Sequence, residues 1–117
     1  MSRQKGRLYE KKVLNMLLAL GYELCAHNFT SRYGEVDIIV RHPRSDTLVF
    51  VEVKARTGGR HYTALEAVNH KKQRRIIATA EYYLLTRGAT CKNHRFDVIG
   101  IDCATLKIDW IQGAFTA

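Results

Sequence analysis

The first half of the chain contains two stretches rich in apolar, β-branched residues, separated by a short polar segment. The first covers residues 34–40 and reads GEVDIIV, and the second covers residues 48–56 and reads LVFVEVKAR. The segment between them contains the only proline of the chain, followed closely by a Ser-Asp pair. Two such strands joined by a loop of about six residues typically form an antiparallel hairpin.

The polar side chains of this hairpin collect at its open end, far from the turn. Successive side chains of a strand point to opposite faces of a sheet, so residues two apart share a face. Glu35 and Asp37 therefore share one face of the first strand. Glu52 and Lys54 share one face of the second strand. We expect these four side chains to lie close together.

The apolar residues select one register for the hairpin, in which Asp37 lies opposite Glu52. In that register Ile39 faces Phe50, so apolar side chains pair with each other. A slip of one residue would set Val36 opposite Glu52 and spoil this match. The favoured register also sets two carboxylates side by side, which is destabilising unless a positive charge lies between them. A divalent cation is the simplest such charge.

An aspartate within reach of a Glu-x-Lys sequence on the neighbouring strand is suited to cutting phosphodiester bonds. Carboxylate oxygens are the ligands that Mg²⁺ and Mn²⁺ prefer, so we expect Asp37 and Glu52 to hold one of these metals. Such a cation polarises a phosphoryl oxygen and helps to generate hydroxide. Lys54 would help to hold the attacking water. The alternative is a polar face that is only solvated, because a lone Glu-x-Lys is common in strands.

Helical periodicity and strand alternation predict the other elements. The predicted segments are helices over residues 4–20 and 69–88, and strands over 22–28, 95–101 and 106–111. Gly21 is expected to end the first helix, and Asn69 and Gly88 to cap the second. Residues 1–117 are thus expected to form one α/β domain, with a mixed central sheet of about five strands flanked by helices.

Basic residues outnumber acidic ones, and this favours a nucleic-acid partner. The chain has 117 residues with 19 Lys and Arg against 11 Asp and Glu, a net charge of +8. Basic residues cluster at the N-terminus and again in the second helix, on either side of the proposed site in the chain. The candidate phosphate-binding residues are Arg56, Arg60, Lys71, Lys72, Gln73, Arg74 and Arg75. A solvated surface is the alternative explanation for these clusters.

Two residues of the second helix have more than one interpretation. Lys72 falls on the same helical stripe as Ile76, Ala80 and Tyr83, so it heads the buried face. A lysine there usually extends its ammonium group to solvent. Gln73 could donate to a phosphate or to a carboxylate of the site.

The order of these motifs resembles the PD-(D/E)xK core of restriction-endonuclease-like nucleases. More narrowly, the chain resembles the YraN-type family of small bacterial proteins related to Holliday-junction resolvases. The matching positions run through nearly the whole chain: Gly6, Glu10, residues 21–22, Asn28, and segments 34–39, 49–56, 66–68, 72–74, 95–98 and 114–115. One departure is Val36, which stands where proline often precedes the aspartate.

The resemblance implies a nuclease-like fold and a metal-dependent endonuclease. Asp37 and Glu52 would bind Mg²⁺ or Mn²⁺, and Lys54 would support the nucleophile. Glu35 and Glu10 are further candidates, since a glutamate of the first helix often completes the metal environment in resolvase-like nucleases. Nucleic acid is the expected partner, with DNA favoured over RNA, and a homodimer stays open. The alternative function is a non-catalytic nucleic-acid-binding protein that retains the fold.

Other residues narrow the class of protein. Cys25, Cys91 and Cys103 are odd in number and lack Cys-x-x-Cys spacing, which argues against a disulfide framework or a zinc ribbon. No apolar run reaches the length of a membrane span, and the basic start lacks the apolar core of a signal peptide. We therefore expect a cytoplasmic protein without a membrane partner. Asp97 is expected to be structural, paired with an arginine. Tyr82 and Tyr83 are expected to belong to the core and its rim, in preference to forming a platform on which bases stack.

Overall fold

A five-stranded sheet forms the centre of the computed structural model, which describes residues 3–56, 68–88 and 90–117. The elements are α1 (Arg3–Ala19), β1 (Glu23–Ser31), β2 (Gly34–His42), β3 (Thr47–Arg56), α2 (His70–Arg87), β4 (Asn93–Asp102) and β5 (Ile108–Phe115). Within these ranges, neither helix is long and apolar enough to cross a membrane. The three cysteines are all free, as expected.

The strands lie in the sheet in the order in which they occur in the chain. β1, β2 and β3 are antiparallel neighbours, β3 and β4 are parallel, and β4 and β5 are antiparallel. A parallel neighbour requires a crossover, and α2 lies in the connection between β3 and β4. The predicted mixed α/β architecture of about five strands with flanking helices is thus confirmed at this level.

The register of the β2–β3 hairpin agrees with the sequence prediction. Ile39 pairs with Phe50, and Ile38 pairs with Val51 at the last pair of the ladder. Asp37 and Glu52 follow directly beyond that pair, on neighbouring strands. The alternation of apolar residues therefore determines which polar groups meet at the end of the hairpin.

Each face of the sheet carries its own apolar core beneath one helix. On one face, α1 contributes Val13, Leu14 and Leu17, which pack with alternate residues of β2 and β3. On the other face, α2 contributes Ile76, Ala80 and Tyr83, which pack with the intervening residues of those strands. Because both faces are covered, the middle of β2 (residues 38–40) and the first six residues of β3 are buried.

The last strand begins two residues later than predicted. Leu106 was expected to start it, but this residue has a φ of 62° and its amide donates to the carbonyl of Asp102 (2.7 Å). A left-handed residue closes the turn and cannot continue an extended strand. β5 therefore begins at Ile108.

Asp97 is a structural residue, as predicted. It is fully buried, and its carboxylate accepts two hydrogen bonds from Arg95 (2.9 and 3.0 Å). Trp110 Nε1 and the amide of Gly113 donate the others (2.9 and 3.0 Å). These bonds tie β5 to β4 at the register shift that interrupts their ladder.

The ends of α2 also match the sequence prediction. Asn69 is the N-cap, and its side-chain oxygen accepts a hydrogen bond from the amide of Lys72 (2.9 Å). Gly88 ends the helix in the left-handed conformation, with a φ of 63°. Glycine adopts this conformation without the steric cost that other residues incur.

We expect Asn69→Ala to lower the free energy of unfolding by about 1 kcal/mol, because an amide of the first turn of α2 loses its acceptor. Asn69→Ser should retain most of the stability, since serine also caps helices well. Urea unfolding of the three proteins measures the difference. An alanine variant as stable as the wild type would mean that this cap does not stabilise α2.

Candidate active site

Asp37 and Glu52 form a carboxyl pair where the β2–β3 ladder ends, with Asp37 partly buried and Glu52 buried. Glu52 is only 4% exposed. The amide of Val53 donates to Asp37 Oδ2 (2.8 Å), so a side chain of β2 satisfies the backbone of β3 at this point. The backbone of β3 thereby holds the Asp37 carboxyl group in place beside Glu52.

The environment of Asp37 disfavours its charged form. Burial, followed by the charge of Glu52 and a hydrogen bond between the two carboxyl groups, raises the pKa of Asp37 to about 9. The hydrogen bond from Val53 acts in the opposite direction but is a smaller effect. This raised pKa favours the protonated form of Asp37 at neutral pH. Two carboxyl groups sharing a site commonly titrate in this way.

Two lysines approach Glu52 from different elements. Lys54 Nζ lies 3.7 Å from Glu52 Oε2, and Lys72 Nζ lies 3.3 Å from the same oxygen. Lys54 is on β3, as its position in the sequence predicted, whereas Lys72 comes from the first turn of α2. Its ammonium group is thus directed to the carboxyl pair. The sequence placed Lys72 at the head of the buried stripe but did not predict Glu52 as its partner.

Glu10 and Glu35 form a second carboxylate pair, which Asn28 bridges. With the amide nitrogen of Asn28 turned towards the carboxylates, it donates to Glu10 Oε1 (2.7 Å) and Glu35 Oε1 (3.0 Å). Asn28 has a φ of 53°, a conformation that asparagine tolerates better than most residues. The sequence showed Asn28 only as a position of resemblance, and no local pattern predicted this bridge.

Glu10 lies within electrostatic reach of the other site carboxylates. Burial, together with the charges of Glu35 and Glu52, raises the pKa of Glu10, while Arg7 opposes this shift. His27 Nε2 lies 3.7 Å from Glu10 Oε1. All five candidate catalytic residues therefore belong to one neighbourhood, built from α1, β2 and β3.

The carboxylates are the groups that a hard cation could bind. Among the described residues, no group of three or more His, Cys, Asp and Glu side chains forms a recognisable metal site. Asp37 and Glu52 remain as two adjacent oxygen donors. Mg²⁺ typically uses one or two carboxylates and completes its shell with water and substrate phosphates.

The predicted phosphate-binding residues of α2 divide into exposed and internally bonded ones. Lys71, Arg74 and Arg75 are exposed and form a basic surface on the helix that carries Lys72. Gln73 is turned inward, and its Nε2 donates to the carbonyl of Val68 (3.0 Å). Its partner is thus a backbone carbonyl and not a site carboxylate.

Of the two arginines that follow the site in sequence, the structure describes one, Arg56. The Arg56 side chain is 14% exposed, and its Nη2 lies 3.6 Å from Asp109 Oδ2. This pairing joins β3 to β5 and directs Arg56 away from solvent. Arg60 lies outside the described residues.

Comparison with known proteins shows the family to which this chain belongs. The model of the uncharacterised protein family UPF0102 matches residues 9–101. A UPF0102 protein of Chromohalobacter salexigens is 40% identical over 99% of this chain and 94% of its own length. Those of Legionella pneumophila and Clostridioides difficile are 36% and 34% identical, over 100% and 97% of this chain and 98% of each relative. The chain therefore belongs to the UPF0102 family, which confirms the YraN-type resemblance.

Proposed function

We propose that this protein is a metal-dependent nuclease, with a restriction-endonuclease-like fold, that hydrolyses phosphodiester bonds in nucleic acid, DNA in preference to RNA. The buried pair of Asp37 and Glu52 carries the proposal. Burying two carboxyl groups against each other costs stability, and an apolar pair would pack there without that cost. Strongly perturbed carboxyl groups beside basic residues are typical of active sites.

The chemistry of the donor set supports a divalent cation at this pair. Burial, and after it the negative charge of Glu52, raises the pKa of Asp37 and favours its protonated form. A cation would supply the missing positive charge, and Asp37 would then release its proton. Bound Mg²⁺ or Mn²⁺ would stabilise charge on a phosphoryl oxygen and lower the pKa of water. Asp37 and Glu52 would hold it.

The lysines and the second carboxylate pair have separate roles in the proposed reaction. Lys54, on the face of Glu52, orients the attacking water and stabilises negative charge that develops on the phosphate. Lys72 fixes the orientation of Glu52 through their 3.3 Å contact. Glu10 and Glu35, held together by Asn28, supply further acceptors for ordered water around the site.

The exposed basic residues of α2 would hold the substrate backbone. Lys71, Arg74 and Arg75 lie on the helix that also contributes Lys72 to the carboxyl pair. A phosphate backbone bound along this helix therefore passes close to Glu52. Such contacts recognise charge and not base sequence.

One observation favours a second candidate function, a nucleic-acid-binding protein without catalytic activity. Lys54 and Lys72 both contact Glu52, so two ammonium groups already offset the charge of this carboxylate. A fold that had lost its metal could be stabilised in this way. Cleavage assays with Mg²⁺ and Mn²⁺ separate the two functions.

The first test is the Lys54→Ala variant. It should reduce cleavage of linear and branched DNA by about 100-fold or more, because a group that stabilises the transition state is removed. Binding of DNA in chelator should change little. Lys92→Ala is the matched control, since it removes an exposed lysine just before β4, away from the carboxyl pair and from α2, and it should retain cleavage. Equal activity of Lys54→Ala and the wild type would show that Lys54 takes no part in the reaction.

The second test uses the pH dependence of stability in chelator. The folded-state pKa of Asp37, about 9, lies above its ordinary value of 3.8. The folded protein therefore holds a proton that the unfolded chain has lost, and the resulting stability disappears as the pH rises from about 4 to about 9. The asparagine side chain of the Asp37→Asn variant does not titrate, so the variant does not lose stability in this way. Its stability relative to wild type should increase by up to about 1.4 kcal/mol per pH unit.

Urea unfolding at several pH values between 5.5 and 8.5 measures this difference. With saturating Mn²⁺ the wild type should recover stability at high pH, and Asp37→Asn should gain less. Parallel stability curves for the two proteins in chelator would contradict the proposed buried pair. A wild type that Mn²⁺ does not stabilise would contradict the metal.

The third test concerns binding to the phosphate backbone. Reversing Lys71, Arg74 and Arg75 to glutamate should weaken all DNA sequences alike and reduce the slope of log K against log salt by up to about 3. Reversing Arg44, Lys92 and Lys107, which are exposed elsewhere, should have a smaller effect. Loss confined to one DNA sequence would instead indicate recognition of bases.

A further inference from the structure

A pocket of about 450 Å³ lies between the β1–β2 turn and the first two turns of α2. Arg32 and Tyr33 line it from the turn, and Lys72 and Arg75 line it from the helix. Its volume is within the range of about 300–1,000 Å³ that is common for small-molecule sites. Its positive side chains favour an anionic ligand.

This pocket adjoins the carboxyl site through shared residues. Lys72 lines the pocket and contacts Glu52, and Glu35 lines the pocket and is bridged to Glu10 through Asn28. A ligand in the pocket would therefore lie next to the proposed site of cleavage.

Gly34, at the end of the β1–β2 turn, packs against α2 and has a φ of 153°, which residues other than glycine rarely adopt. A Cβ atom at this position would lie 3.4 Å from Arg75 Cβ and 3.6 Å from Thr79 Oγ1. Ser31 adds a hydrogen bond to Thr79 Oγ1 across the same contact (3.1 Å). The turn is thus fixed against the helix, and Arg75 borders the pocket. In the described parts of the chain, Arg75 has no carboxylate partner.

The wall of the pocket at the turn presents an aromatic ring and a guanidinium group. Arg32 Cζ lies 5.0 Å from the ring centre of Tyr33, and Arg32 Nη2 donates to the Tyr33 hydroxyl (3.0 Å). Tyr33 remains 41% exposed. Tyr82, 43% exposed, lies beside it with the ring centres 6.4 Å apart. Nucleobases stack on both tyrosine rings and guanidinium planes.

We infer that this pocket binds an unpaired nucleotide of the substrate, with its base against Tyr33 and Arg32 and its phosphate on Arg75. A base within a duplex cannot enter such a pocket without leaving its stack. The protein therefore prefers nucleic acid with unpaired nucleotides to continuous duplex. The inference rests on the proposed nuclease function, because it takes the bound nucleic acid to be the substrate. It names the class of that substrate, which is nucleic acid with unpaired nucleotides.

The test measures binding in chelator, where no cleavage occurs. Fluorescence anisotropy compares a labelled single-stranded DNA with a duplex of the same sequence at one salt concentration. Wild type should bind the single strand more tightly. Tyr33→Ala should weaken binding to the single strand by about tenfold and change duplex binding little, because a stacking partner is lost. Tyr33→Phe keeps the ring and should retain the preference.

Arg75→Ala should weaken binding more than Arg44→Ala, which removes one exposed arginine from the distant β2–β3 turn. Circular dichroism of each variant confirms that it is folded. An unchanged affinity of Tyr33→Ala for the single strand, or an equal loss for the duplex, would overturn the inference. If the wild type cleaves DNA but Tyr33→Ala binds the single strand as tightly as the wild type does, the pocket is refuted and the nuclease proposal stays intact. Tyr33-dependent binding without cleavage under either metal would refute the nuclease proposal and leave the pocket.

Discussion

The repulsion between the carboxyl groups of Asp37 and Glu52 is the constraint on which the site depends. Glu52 is only 4% exposed and Asp37 is partly buried, so water screens this repulsion only weakly. Asp37 responds by keeping its proton. Glu52 receives two ammonium groups, from Lys54 and Lys72. A proton on Asp37 and two ammonium groups at Glu52 thus balance the charge of the site, and a bound cation would change this balance.

Another buried carboxylate of the same sheet shows how differently a structural acid is treated. Asp97 accepts hydrogen bonds from Arg95, Trp110 and the amide of Gly113. Its charge is fully compensated by protein donors. Asp37 has one backbone donor and a carboxyl neighbour instead. Asp97 is therefore a structural residue, whereas Asp37 suits the metal-binding role that we propose for it.

Helix α2 connects the carboxyl pair with the proposed substrate surface. Its Asn69 cap fixes where the helix begins, and Lys72 in the first turn then lies at Glu52. Arg75, one turn later, borders the pocket, where the Ser31–Thr79 hydrogen bond holds the β1–β2 turn against the helix. A change in the start of this helix would therefore shift both the carboxyl pair and the pocket together.

The sequence by itself determined the features that depend on local pattern. Apolar alternation set the hairpin register through pairs such as Ile39 with Phe50, and Asn69 and Gly88 marked the ends of α2. Only the tertiary structure decided which distant polar groups meet: Lys72 with Glu52, and the bridge from Asn28. Periodicity repeats within one element, so it predicts the face on which a side chain lies. It does not specify the packing of one element on another, and that packing brings together groups far apart in the chain.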